Sequence, residues 1–256
     1  MFNMKKKRIV VGNWKMNPAT LADAKKIFSR IKQLSGDVAG QLVVCPPATY
    51  LQALASSYKG KKIFFGAQDA YWQNNGSLTG YLSPTMMESS GAKYLIVGHS
   101  ERRELAGEMP DLIAKKVLAG IEAQMTVILC VGEKARDRNA EYLISIKEDL
   151  SECLKRVDKR MMSHVMIAYE PVWTIGGREA MLPSDIHGMT IYIRKVLTEI
   201  YDKQISDATP ILYGGAVNVE NVADIVKDGE TDGLLVGRDS LIPENIMQIV
   251  SIANGK

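Results

Sequence analysis

Cysteine and histidine are scarce in these 256 residues, three of each, and no apolar stretch approaches the length of a membrane span. The cysteines, Cys45, Cys130 and Cys153, cannot all pair and lack metal-ligand spacing. Cys45 and Cys130 sit inside the apolar runs LVVC and VILCV, where the expected role is a small buried hydrophobe. The opening MFNMKKKRIVVGNWKMN has no apolar core of signal-peptide length. Together these absences predict a reduced, cytoplasmic protein that engages no membrane. Charge of one sign is also missing: 32 basic residues face 29 acidic ones, a formal +3, too balanced for a nucleic-acid partner. The run Lys5-Lys6-Lys7-Arg8 reads as a solvated edge before a strand. No proline- or serine-rich linker divides the chain, and no GxGxxG follows its first apolar run.

What is present is a repeated alternation. Short, continuously apolar runs rich in Val and Ile recur: RIVVGN, QLVVC, KIFFGA, YLIVGH, VILCVG, VMIAYE, PILYGG and DGLLVG. Their shortness and unbroken apolarity mark strands buried on both faces. Between them lie segments of helical spacing: in DLIAKKVLAGIEAQ, Ile113, Val117 and Ile121 fall on one face. Ile146, Leu150, Cys153, Leu154 and Val157 make the next stripe, and Ile186, Met189, Ile193, Val196 and Ile200 another. A chain of this length could form two average domains or one large α/β barrel. Eight strand–helix units without a break favour one (β/α)8 barrel domain over residues 1–256, with about eight helical segments.

A barrel puts its chemistry where strands end. The polar residues there are Asn13 and Lys15 after the first strand, His99 and Glu101 after the fourth, and Glu170 at the end of the sixth. The seventh and eighth strands run into the glycine turns YGGAVN and VGRDS. Taken singly, each has an ordinary structural reading: a solvated lysine, a hydrogen-bonded histidine, a capping glutamate, a turn. Jointly they describe an anion site of glycine turns at helix N-termini, ringed by a carboxylate, an imidazole and an ammonium. That set suits proton abstraction beside the carbonyl of a phosphorylated substrate. No His/Asp/Glu cluster has metal-ligand spacing, and no Ser-His-Asp set falls at these strand ends.

The segments GNWKMN, CPPATYL, GAQDAYW, GHSERRE, CVGE, AYEPVW, YGGAVN and DGLLVG occur in the order and spacing of triosephosphate isomerases. Over essentially its whole length the chain resembles that family, GHSERR and AYEPVW being the most specific segments. The resemblance implies a TIM barrel that interconverts glyceraldehyde 3-phosphate and dihydroxyacetone phosphate, without cofactor or metal, as a homodimer. It implies Glu170 as the base, a neutral His99 as hydrogen-bond donor, Lys15 as the positive charge, Asn13 assisting, and Glu101 ordering the network. A helix N-terminus keeping such an imidazole neutral and a lid closing over the site are established for this enzyme family. PVWTIGG stands where the family has its lid, Pro171 and Trp173 forming a stiff hinge beside the base. The phosphate would be held by Asn13, Lys15, Gly176, Gly177, Ala216, Gly237 and Arg238. In the implied dimer, the loop containing Thr79 docks near the neighbour's Asn13 and Lys15.

The phosphate end departs from the family pattern. The usual lid tip Ala-Ile-Gly-Thr-Gly-Lys is here Thr174-Ile175-Gly176-Gly177-Arg178-Glu179, YGGS is YGGA with Ala216, and the paired glycines after the last strand are Gly237-Arg238. Tyr81 replaces a usual Glu near the partner subunit. One reading is drift in a triosephosphate isomerase. Another is a homologue for a four-carbon ketose phosphate, a branch that also carries Gly-Arg. A class I aldolase would need a Schiff-base lysine deep on a strand, whereas Lys15 lies past its strand. A non-catalytic sugar-phosphate binder would leave the joint presence of Lys15, His99 and Glu170 unexplained.

Overall fold

A computed structural model describes residues 7–37, 40–174 and 180–255. Eight parallel strands close on themselves in sequence order: β1 (Ile9–Asn13), β2 (Gln41–Cys45), β3 (Ile63–Ala67), β4 (Tyr94–Val97), β5 (Thr126–Val131), β6 (Val165–Tyr169), β7 (Ile211–Tyr213) and β8 (Gly233–Val236). Closure comes from β1 pairing with both neighbours, Val11 lying opposite Val43 on β2 and Leu235 on β8. The strand interiors are apolar because both faces are covered, polar residues such as Gln41 and Thr126 falling at the ends. Ile9, Val11, Val43, Cys45, Ile96, Ile128, Cys130, Ala168, Leu212 and Leu235 fill the barrel interior, while alternate residues such as Val10, Leu42, Val44, Leu129 and Ile167 meet the helices. All three cysteines are buried and unpaired.

The helices are α1 (Leu21–Leu34), α2 (Ala48–Ser56), α3 (Pro84–Ser89), α4 (Ser100–Leu105), α5 (Pro110–Glu122), α6 (Glu141–Leu154), α7 (Pro183–Ile200), α8 (Lys203–Ala208), α9 (Val222–Asp228) and α10 (Pro243–Ala253). Their starts carry recognisable signals. Thr20 caps α1 by accepting the Asp23 N–H, and α3, α5, α7 and α10 open on proline, whose missing N–H costs nothing there. The predicted stripes of α5, α6 and α7 face inward, with Ile200 only half-buried and Val157 buried but past the end of α6. The described residues hold ten α-helices where the periodicity indicates about eight. The extra ones are α4 (SERREL) and α8 (KQISDA), too short and too polar to carry an apolar stripe.

The basic run before β1 corrects one expectation. Arg8 is no solvated edge residue: its Nε donates to the Thr231 carbonyl, Nη1 to that of Ala253 and Nη2 to that of Val226. Its backbone N–H donates to Asn254 Oδ1, so the N-terminal segment is clasped to the last helix. A guanidinium, with its several donors in a fixed fork, can satisfy three separate carbonyls at once. Lys7 is exposed as expected, and Lys5 and Lys6 lie outside the described residues.

Candidate active site at the C-terminal rim

The strand ends surround a cavity of about 610 Å³ at the C-terminal mouth of the barrel. Asn13, Lys15, His99, Glu101, Glu170, Ala216, Gly237 and Arg238 all line it, so eight of the ten predicted site residues converge. Gly176 and Gly177 lie outside the described residues.

Glu170 follows β6 and is buried. One carboxylate oxygen, Oε1, lies 3.2 Å from His99 Nε2, and Oε2 accepts the Ser100 N–H at 3.2 Å. The backbone here is held tightly: the Glu170 N–H donates to the Val131 carbonyl. Gly132 is obligatory beside it, because a Cβ at that position would lie 1.8 Å from the Glu170 carbonyl oxygen. Cys130 lies against the carboxylate from inside the barrel. Burial first, and then the Glu170 charge, push its thiol well above the ordinary range. It therefore stays protonated and serves as packing rather than as a nucleophile.

His99 is the N-cap of α4, and its Nδ1 accepts the Glu101 N–H at 3.2 Å. An imidazolium carries hydrogens on both nitrogens and could not accept that bond. The geometry thus selects the neutral tautomer with its hydrogen on Nε2, the nitrogen facing Glu170. We expect ¹⁵N-resolved NMR at neutral pH to show His99 as the neutral Nε2–H form. A spectrum of an imidazolium, or of the Nδ1–H tautomer, would contradict the assignment.

Lys15 occupies the left-handed region, φ 54°, which is costly for a side chain other than glycine. Two neighbours hold it there. Asn13 Oδ1 accepts the Lys15 N–H at 3.0 Å, and Gln68 Nε2 donates to the Lys15 carbonyl at 2.8 Å. The strained turn sends the ammonium back over the mouth, where Nζ meets Glu101 Oε1 at 2.7 Å. Asn13 thereby spends its oxygen on the turn and keeps its amide donors for the cavity.

Several participants were not read from the sequence. The Ser100 N–H that holds the Glu170 carboxylate is a backbone donor and has no letter of its own. Gln68, in GAQDAYW, braces Lys15 from across β2, also donating to the Cys45 carbonyl. Buried Glu133 gathers the residues around Glu170, accepting from Tyr169 Oη at 2.8 Å, Trp173 Nε1 at 3.1 Å and Arg136 Nε at 3.0 Å. Asn218, Glu220 and Asp239 also line the cavity. A polar residue after a Gly-rich turn gives no sign of facing a site until the turn is folded.

A closed barrel with a carboxylate, a neutral imidazole and an ammonium gathered at its C-terminal mouth defines a (β/α)8-barrel enzyme of the acid–base kind. The family model for triosephosphate isomerase matches residues 8–253, and the chain belongs to that family. It is 38% identical over 244 residues to the triosephosphate isomerase of Roseiflexus sp. (strain RS-1), covering 94% of this chain and 96% of that protein. It is 36% identical over 249 residues to that of Dictyoglomus turgidum, covering 96% and 99%. Among solved structures it resembles triosephosphate isomerase from Bartonella henselae, with a TM-score of 0.84, 26% identity, and coverage of 96% of this chain and 98% of that one.

Proposed function

We propose that the protein interconverts glyceraldehyde 3-phosphate and dihydroxyacetone phosphate. The observation that carries this reading is the buried Glu170 carboxylate 3.2 Å from His99 Nε2, in one cavity with Lys15. Glu170 removes a proton from the carbon beside the carbonyl. As that C–H bond breaks, its electrons form the carbon–carbon double bond of an enediolate and charge moves onto the carbonyl oxygen. His99 Nε2–H donates to that oxygen and, passing the proton between the two oxygens, lets the neighbouring carbon become the new carbonyl. Glu170 returns its proton to the other carbon. Two hydrogens have moved and no electrons have left the substrate, so the chemistry calls for no redox cofactor. Lys15 opposes the charge that develops on oxygen, in a site where such preorganised charge acts strongly. Asn13 assists, and Glu101 holds both the His99 tautomer through its N–H and the ammonium through its carboxylate.

The phosphate is assigned to Lys15 and to the turns at Gly214–Gly215–Ala216 and Gly237–Arg238, with Gly176 and Gly177 completing the set by resemblance. A cytoplasmic location is supported by three buried thiols left unpaired. A homodimer is supported by large apolar side chains left exposed along the β1 and β3 loops and α3: Met16 is 93% exposed, Tyr81 56% and Met86 47%. Turnover of both triose phosphates, followed by coupled assay and by deuterium uptake from solvent at the carbon, tests the proposal. Absence of both turnover and exchange at high enzyme concentration rules it out.

Ala216 allows a finer test. It lines the cavity with a methyl group, while its carbonyl accepts from Asn221 Nδ2. A hydroxyl donated to a charged phosphate is worth about 1.5–3 kcal/mol. Ala216→Ser is therefore expected to lower KM for triose phosphate about tenfold while kcat holds. A raised KM, with a four-carbon ketose phosphate preferred by the wild type, would favour the longer substrate instead.

A further inference from the structure

Thr174 belongs to the segment that follows the base, and its side chain is buried. Its hydroxyl donates to the Pro171 carbonyl at 2.8 Å, folding the four residues after Glu170 into a tight turn. Across from it stands Tyr213, the last residue of β7, fully buried, whose oxygen accepts the Met181 N–H at 3.2 Å. The two hydroxyls lie side by side beneath one point of the Gly215 backbone. Contacts therefore run from Met181 through Tyr213 to the Gly215 backbone, and from there through Thr174 to Pro171, the residue next to Glu170.

The same pair underlies the anion turn. A Cβ at Gly215 would lie 2.2 Å from Tyr213 Oη and 2.7 Å from Thr174 Oγ1, so the backbone of Gly215 rests directly on both hydroxyls. Gly215 lines the cavity beside Ala216. Thr174 thus touches, directly or through one partner, the residue after the base, the turn assigned to phosphate, and residue 181. None of these contacts is needed to close the barrel, since β7 is already paired with β6 and β8.

We propose that Thr174 is a positioning residue for the isomerisation. Its hydroxyl, with Tyr213, keeps the segment carrying Glu170 in register with the Gly214–Ala216 turn, so that a phosphate seated on the turn presents its carbon to the base. This role rests on the isomerase reading above. It predicts a particular failure when the hydroxyl is lost. The enediolate should form but be held less firmly against the base and turn, so more of it expels phosphate before the proton returns.

The test is Thr174→Val, which keeps shape and removes the hydroxyl, beside Thr174→Ser, Tyr213→Phe and the Val/Phe double variant. Thr174→Val is expected to lower kcat about tenfold on triose phosphate and to raise inorganic phosphate released per turnover several-fold. Thr174→Ser should restore both to within about twofold of wild type. The double variant should be no worse than the poorer single, because both substitutions cut one chain of contacts. A thermal midpoint for each variant separates loss of fold from loss of position. A Thr174→Val enzyme whose kcat and phosphate partition both stay within twofold of wild type overturns the inference while the isomerase reading stands. Strict additivity with Tyr213→Phe, or failure of Thr174→Ser to rescue a folded protein, overturns it equally. A wild type that turns over no triose phosphate removes both.

Discussion

Glu170→Gln should lower kcat/KM for triose phosphates by roughly 10²–10⁴-fold or more, the range for loss of a positioned general base. The amide is nearly isosteric with the carboxylate, so the cavity keeps its shape. It cannot accept the substrate proton, however, and it fits its neighbours poorly. The carboxylate accepts the Ser100 N–H on one oxygen and faces the His99 Nε2 on the other. Both neighbours are donors in the neutral tautomer, and an amide has only one acceptor end, so one N–H is left opposed to another. The fold should survive, because removing a charge from a buried position relieves desolvation. The expected result is a melting temperature equal to or above wild type, together with lost turnover and lost solvent-hydrogen exchange at the substrate carbon. A folded Glu170→Gln enzyme that retains more than about a tenth of wild-type turnover would remove Glu170 from the role of base.

The parts of this site that were legible in the sequence are those whose side chains act in place. Glu170, His99 and Lys15 are unusual residues at strand ends, and a barrel topology sends every strand end to the same mouth. The strands were legible for a related reason: burial on both faces leaves no room for polar interruption, so YLIV and GLLV announce themselves. What was hidden works through backbone or through partners far apart in sequence. The Ser100 N–H that holds the base is invisible in a string of letters, as is the 2.8 Å bond by which Gln68 fixes the backbone of Lys15. Arg8 was misread for the same reason, because a basic run before a strand looks the same whether its last member points to water or clasps three carbonyls. The short helices α4 and α8 escaped because they bury too little to impose a period.

Lys15→Met separates positive charge from packing at the same mouth. The ammonium is partly exposed, 29% by side chain, and its carboxylate partner Glu101 is 47% exposed. An ion pair this open contributes about 0–1 kcal/mol to stability, so the melting temperature should change little. The left-handed backbone at residue 15 is held through Asn13 and Gln68 by main-chain atoms, which methionine retains. Catalysis should respond very differently. Charge on the enediolate oxygen appears only as the reaction proceeds, and a fixed donor aimed at it is worth about 10²–10³ in kcat. The phosphate also loses an opposing charge, so KM should rise as kcat falls. Glu101, released from the ammonium, would leave a negative charge beside the developing oxyanion and add to the loss. Lys15→Met/Glu101→Gln is therefore expected to recover part of kcat without recovering KM. Steady-state kinetics of the single and double variants, with binding of a phosphorylated carboxylate analogue measured by calorimetry, resolves these effects. A Lys15→Met enzyme within threefold of wild type in kcat/KM would show that the ammonium is not the group that meets the growing charge.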